Sequence, residues 1–132
     1  MSKRTVFIEI DGHGYPMRMG LSADAAIREK YGSMRAMLEK LDGEEALNAA
    51  TDVIWLLELF IRQGCSYMNK FCADQPPHEN ARLEDGKYIP ISGEDIGDIL
   101  EFSELNMALK KLFAVILGAQ ERTVETETKE KN

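Results

Sequence analysis

The sequence has few of the residues that most enzymes use for catalysis or metal binding, and it lacks a cluster of basic residues. Its 132 residues include two cysteines, two histidines, 16 Lys and Arg, and 23 Asp and Glu, for a formal net charge of −7. Proteins that bind the phosphate backbone of nucleic acids need clustered Lys and Arg. The nearest approach is the pair Lys110-Lys111, which is typical of a solvated helix flank. We therefore expect no nucleic-acid partner.

Long hydrophobic runs are also missing. The longest extends from Val53 to Ile61 and contains Glu58, whereas a membrane-spanning helix needs roughly 20 apolar residues. The N-terminus begins with basic residues, but Glu9 interrupts the apolar segment that follows and argues against a secretion signal. We therefore expect neither membrane association nor secretion.

The two cysteines predict free thiols. Cys65 and Cys72 lie seven positions apart, so in one regular helix their Cα atoms would be about 10 Å apart, which is too far for a disulfide. Zinc sites use shorter cysteine spacings. Nothing in the spacing favours a catalytic pair of Cys72 and His78.

The remaining polar motifs have simple structural explanations. The segment from Asp11 to Gly14 is too short for a phosphate-binding loop and reads as a turn. A group of four carboxylates suits the start of a helix, where negative charge is favoured; it consists of Glu94, Asp95, Asp98 and Glu101. We therefore predict a non-enzymatic protein with no catalytic, cofactor-binding or metal-binding residues.

Hydrophobic periodicity predicts a mainly α (α+β) fold, in which an N-terminal β-hairpin packs on a bundle of about four to six helices. Alternating apolar residues on both sides of Asp11-Gly12 predict the hairpin at about residues 5–19. A second tight turn is predicted at Asp85-Gly86. Ser22 is a predicted helix N-cap, a further helix is predicted to start after Ser33, and Ser92 with Asp95 resembles a capping box.

The predicted domain organisation is one helical domain over residues 1–120 followed by a disordered polar tail, 121–132, which has little apolar character. The strongest predicted helix extends from about Glu44 to Gln63, and Asp42 with Glu45 resembles its capping box. Gly64 is predicted to end or kink this helix, which could continue from Ser66 to Cys72 until Gln75-Pro76-Pro77 makes continuation unfavourable. Gly118 is predicted to follow the last helix of the domain.

The unusual feature is surplus apolar helix surface. The helix containing Trp55 to Ile61 is apolar almost all round, and a long apolar stripe extends from Phe102 to Leu117. Such helices are central to a fold or are covered by a partner. The predicted partner-binding residues are Trp55, Leu56, Leu59, Phe60, Phe102, Leu109 and Phe113.

Four segments, taken in order, resemble the tail assembly chaperones of long-tailed bacteriophages over about residues 5–119. They are IEIDGHGYPMRM at 8–19, SADAAIREKYG at 22–32, DVIWLLELFI at 52–61 and ISGEDI at 91–96. The resemblance implies a phage or prophage protein that binds the tape measure protein, a long helical polypeptide that is insoluble when unprotected. It also implies that tail tube subunits polymerise around the coated partner.

The same resemblance implies action in the cytoplasm of the bacterial host and absence from the mature virion. Members of the family are often extended by a translational frameshift, and the tail at 121–132 would suit a tether to that extension. The sequence does not decide whether the protein associates with itself through the unpaired edge of the hairpin. It also leaves a second class of function as an alternative. That alternative is a small bacterial regulatory or adaptor protein of antitoxin or anti-activator type.

Overall fold

The computed structural model describes residues 5–42 and 49–131, with side chains described as far as residue 119. Within these ranges the fold is mainly α-helical with an N-terminal antiparallel hairpin, which confirms the predicted fold class. The elements are β1 (Val6–Ile10), β2 (His13–Met17), α1 (Leu21–Tyr31), α2 (Met34–Leu41), α3 (Ala50–Phe71), β3 (Leu83–Glu84), β4 (Lys87–Tyr88), α4 (Gly93–Ile99), a 3₁₀ turn (Phe102–Glu104) and α5 (Leu105–Lys131).

Strands β1 and β2 form the predicted hairpin around Asp11 and Gly12. These two residues have positive φ values of 53° and 81°, which is the backbone of a type I′ turn and explains the Asp-Gly pair. Pro16 lies opposite Phe7, in a pair of the ladder that exchanges no hydrogen bonds, so its missing N–H costs nothing. Alternation places one apolar set in the core: Ile8, Ile10, Tyr15 and Met17.

Helix α3 is the centre of the fold and contacts β2, β4, α1, α4 and α5. It passes through Gly64 without a break and ends at Phe71, so the helix does not end at Gly64 and the predicted continuation toward Cys72 is confirmed. The glycine is required by packing, because a side chain there would overlap the backbone carbonyl of Pro16. The predicted start near Glu44 and the capping role of Glu45 lie outside the described residues.

The predicted helix starts at Ser33 and Ser92 are confirmed, and each serine caps its helix. The hydroxyl of Ser33 accepts a hydrogen bond from the Ala36 N–H at 3.0 Å, and the hydroxyl of Ser92 accepts one from the Asp95 N–H at 3.1 Å. Ser22 is not a cap, because α1 already begins at Leu21, after Gly20. The Gly20 N–H instead donates to the side-chain oxygen of Gln63 at 2.9 Å, which ties the start of α1 to α3.

Helix α5 closes the fold with a buried face made of Ala108, Leu112, Val115 and Ile116. It continues past Gly118, so this glycine is not a helix end. The helical backbone of α5 includes 121–131. Among the described residues, no helix is long and apolar enough to cross a membrane.

Candidate functional site

An apolar groove lies between α2 and α5 and is the leading candidate site. Its walls are formed by Met34 and Leu38 on α2 and by Phe113 and Leu117 on α5, and its volume is about 590 Å³. Each helix contributes a pair of residues four positions apart, which stand on one face of a helix, one turn above the other. We call this surface the α2/α5 groove.

The walls of the groove follow from how the two helices bury their apolar stripes. On α2, Met37 and Leu41 lie in the core, and Leu38 is left half-buried at the edge of the same stripe. On α5, Leu112 and Ile116 are fully buried. Phe113 and Leu117 each follow a buried residue by one position and therefore lie at the edge of the core face.

The rim of the groove is charged and exposed. Arg35, Glu39 and Asp42 line it on the α2 side, and all three are exposed to solvent. The side chain of Leu117 is 50% exposed at the α5 wall. An apolar floor with a charged rim is the usual anatomy of a surface that binds another protein.

The structure separates the seven residues that the sequence assigns to partner binding. Leu56, Leu59 and Phe60 belong to the core, at most 5% exposed, so they are not available on the surface of this fold. The reason is that two strands and three helices pack against α3, and these three side chains lie on its covered face. These three assignments are therefore corrected.

The other four residues lie at or near the surface in three places. Trp55 is half-buried beside Tyr31, with the two rings 5.9 Å apart and nearly perpendicular. Phe102 is 70% exposed in the 3₁₀ turn, outside the α2/α5 groove, and therefore does not belong to this candidate site. Leu109 is half-buried on α5, and Phe113 lines the groove itself.

Sequence reasoning missed the contribution of α2 to this site. Met34 and Leu38 carry the signal of an amphipathic helix, which indicates only that one face is buried. No pattern within α2 shows that Leu38 stands opposite Phe113, because the two residues are far apart in the sequence. Leu117 belongs to the predicted stripe, but its exposed position becomes evident only from the fold.

A second and more polar cavity lies beside the hairpin, with a volume of about 770 Å³. Its lining includes Glu9, Asp11, His78, Glu104 and Lys111. The ring of His78 stacks on Phe7, with centroids 4.1 Å apart. In the described part of the chain, no group of three or more His, Cys, Asp or Glu side chains is arranged to hold a metal ion.

The cysteines are placed as buried thiols. Burial raises the pKa of the Cys65 thiol to about 12, so it is almost fully protonated at neutral pH. Cys72 is buried at the end of α3, where its N–H donates to the Met68 carbonyl at 3.0 Å. The backbone N–H of His78 donates to the Tyr88 hydroxyl at 2.9 Å, and no hydrogen bond joins Cys72 to His78 among the residues described.

Comparison of this chain with protein families, with curated proteins and with solved structures finds no match.

Proposed function

We propose that this protein is a tail assembly chaperone of a long-tailed phage or prophage. In this role it binds the tape measure protein and keeps it soluble in the bacterial cytoplasm during tail assembly. It is released before the virion is complete, and the tail tube protein is a further proposed partner. The observation that carries the proposal is the α2/α5 groove. The resemblance in sequence to the tail assembly chaperones supports it.

The groove supports a helical partner because of its spacing. Phe113 and Leu117 on one wall, and Met34 and Leu38 on the other, are pairs separated by one helical turn. A partner helix presents apolar anchors with the same repeat, at i, i+3, i+4 and i+7, and can insert them between such walls. The tape measure protein, being long and helical, offers this repeat many times.

Charge supports the same role. A protein that exposes an apolar groove must resist association through it, and a net charge well away from zero keeps such a protein soluble. The formal charge here is −7. The exposed rim residues Arg35, Glu39 and Asp42 also limit the contiguous apolar surface around the groove.

Co-expression with a tape measure protein tests the proposal. We expect the wild-type chain to increase the soluble fraction of that protein and to co-purify with it. Leu117→Glu places a charge at the half-exposed groove wall and should abolish both effects without unfolding the chain. Phe102→Glu is the matched control, because it adds the same charge at an exposed apolar residue outside the groove.

Two outcomes would overturn the proposal. In the first, the tape measure protein stays insoluble and nothing co-purifies, which is the result expected of a regulatory or adaptor protein. In the second, Leu117→Glu solubilises the tape measure protein as well as the wild type does. That result would show that the α2/α5 groove does not bind the tape measure protein.

A further inference from the structure

The rim of the α2/α5 groove carries its charges in a fixed order along α2. Arg35, Glu39 and Asp42 line the groove, and their spacing of four and then three positions places them in one row along a helix. The row begins with a cation and continues with two carboxylates. It is about 10 Å long at 1.5 Å per residue and follows the apolar row of Met34 and Leu38, which forms the wall.

The end of the groove beside the C-terminus of α2 is negative. Glu39 lies in the last turn of α2, and Asp42 is the residue at which the helix ends. Both residues are exposed to solvent. The carbonyl groups in the last turn of a helix add partial negative charge at the same place. A cationic group of a partner is therefore favoured at this end of the groove.

The basic residues of α2 are separated from this negative end. Lys40 lies on a different side of the helix, because its ammonium nitrogen is 5.8 Å from the centre of the Tyr31 ring on α1, and it does not line the groove. Arg35 precedes Asp42 by seven positions, which is about 10 Å along a helix. The rim charges are thus spread along the groove, with the cation at one end and the carboxylates toward the other.

We propose that the α2/α5 groove selects helices in which Lys or Arg residues flank the apolar anchors. This proposal rests on the proposed chaperone function, because it concerns the surface assigned to the tape measure protein. The anchors of the partner insert between the apolar walls, and a basic residue beside them pairs with Glu39 or Asp42. Complementary charge of this kind speeds association and disfavours partners of the wrong charge.

Charge also argues against other occupants of the groove. A second copy of this chain carries the same formal charge of −7, so two copies repel one another. An acidic helix meets the same repulsion and brings like charges to Glu39 and Asp42. A basic helix is attracted both by the net charge of the chain and by the two carboxylates of the rim.

Fluorescence anisotropy with three labelled peptides tests this proposal on the full chain. Each peptide has about 18 residues, long enough to form several helical turns, and the same stripe of Leu anchors. The positions beside the stripe are Lys in the first peptide, Gln in the second and Glu in the third, which are all good helix formers. We expect the Lys peptide to bind about tenfold more tightly than the Glu peptide, because two exposed contacts change from attraction to repulsion. This preference should shrink as salt is raised.

Reversal of one rim charge connects the preference to the groove. Glu39→Lys should weaken binding of the Lys peptide by about fivefold and should tighten binding of the Glu peptide. A variant that had merely unfolded could not gain affinity for either peptide. Asp98→Lys is the matched control, because Asp98 is exposed on α4 and does not line the groove. It changes the net charge by the same amount and should leave the preference for the Lys peptide nearly unchanged.

The proposal is overturned if the Lys peptide binds no more tightly than the Glu peptide, or if none of the three peptides binds. It is also overturned if Glu39→Lys and Asp98→Lys have equal effects, since the net charge of the chain would then determine the preference instead of the rim.

Leu117→Ala distinguishes failure of this proposal from failure of the chaperone function. It removes part of the apolar wall without changing any charge, and it should weaken binding of all three peptides by about tenfold. Undiminished binding in this variant would place the peptides outside the groove and overturn this proposal. If the three peptides bind equally well and all lose affinity with Leu117→Ala, the groove holds helices without regard to charge. Selection by charge is then wrong, while the chaperone function stands.

Discussion

Gly64 lies where strand β2 crosses helix α3, and the backbone of Pro16 occupies the space that a side chain at position 64 would need. Gly64→Ala should therefore force the strand and the helix apart. We expect the free energy of unfolding to fall by about 2 kcal/mol, a typical cost of overpacking. Urea unfolding measures the difference.

Gly118 provides the control for this substitution, since it also lies within a helix but has open space around it. Gly118→Ala should raise stability by about 0.5 to 1 kcal/mol, because alanine loses less backbone entropy in a helix. If both substitutions change stability by the same amount, the close crossing of β2 and α3 is not present in solution.

The Cys65 thiol contributes to the loss of folding stability at alkaline pH. Burial raises the pKa of its thiol to about 12 in the folded state, whereas an unfolded thiol has a pKa near 8.5. Above about pH 8.5 the unfolded chain releases a proton that the folded chain retains, so stability falls as pH rises toward 12. Below that range this thiol contributes no pH dependence.

Tyr31 also lowers stability as pH rises. Burial, and to a smaller extent the hydrogen bond to Asp52, raise the pKa of its hydroxyl in the folded state. Cys65→Ala should therefore make the decline of the urea midpoint between about pH 8 and 11 shallower without removing it, because an unfolded tyrosine releases its proton near pH 10. Urea titrations at several pH values measure both slopes. Equal slopes for the variant and the wild type would contradict the burial of this thiol.

At the scale of elements, the start of α4 depends on a residue of another helix. The carboxylate of Glu58 on α3 accepts a hydrogen bond from the Gly93 N–H at 2.8 Å. This contact explains why a charge interrupts the most apolar segment of the chain, since helix N-termini favour negative charge. Helix α4 is thereby fastened to α3 by its first residue.

Glu58→Leu should lower the free energy of unfolding by about 1.5 to 3 kcal/mol, the usual worth of a hydrogen bond to a charged group. Glu58→Gln keeps an oxygen acceptor and should lose less. Urea unfolding compares the two variants. Equal stability of the Leu and Gln variants would show that the carboxylate does not hold α4.

Sequence patterns predicted the elements whose causes are local. The turns at Asp11-Gly12 and Asp85-Gly86 are correct because both positions of each turn need positive φ. The predicted helix starts at Ser33 and Ser92 are correct because each serine accepts a hydrogen bond from the backbone N–H three positions along. The hydrogen bond from the Gly93 N–H to Glu58 joins residues 35 positions apart. A pattern of neighbouring residues cannot predict such a bond.

The sequence alone also does not show which apolar residues of α3 are covered, because the covering elements are distant in sequence. Leu56, Leu59 and Phe60 resemble a surplus surface when the helix is considered alone, but the number of elements that cover a helix is a tertiary property. Five elements pack on α3. The groove arises instead at the edge of two less apolar helices, where Leu38 and Phe113 line opposite walls after folding.

At the scale of the whole molecule, the buried residues form one contiguous core that includes the hairpin and helices α1 to α5. We therefore expect one cooperative unfolding transition. Trp55, the single tryptophan of the chain, reports on the core through its contact with Tyr31, while far-UV circular dichroism reports on all helices. The urea midpoints from the two signals should coincide. Loss of the Trp55 signal before the helical signal would mean that the core does not unfold as one unit.

Affinity for a helical segment of a tape measure protein is the measurement that tests the central claim most directly. With a labelled segment, we expect Leu38→Ala and Leu117→Ala each to weaken binding by about tenfold, because both remove a wall of the α2/α5 groove. Phe102→Ala, at an exposed residue outside the groove, should change affinity by less than about twofold. Undiminished binding in both groove variants, or no binding by the wild-type chain, would contradict the account.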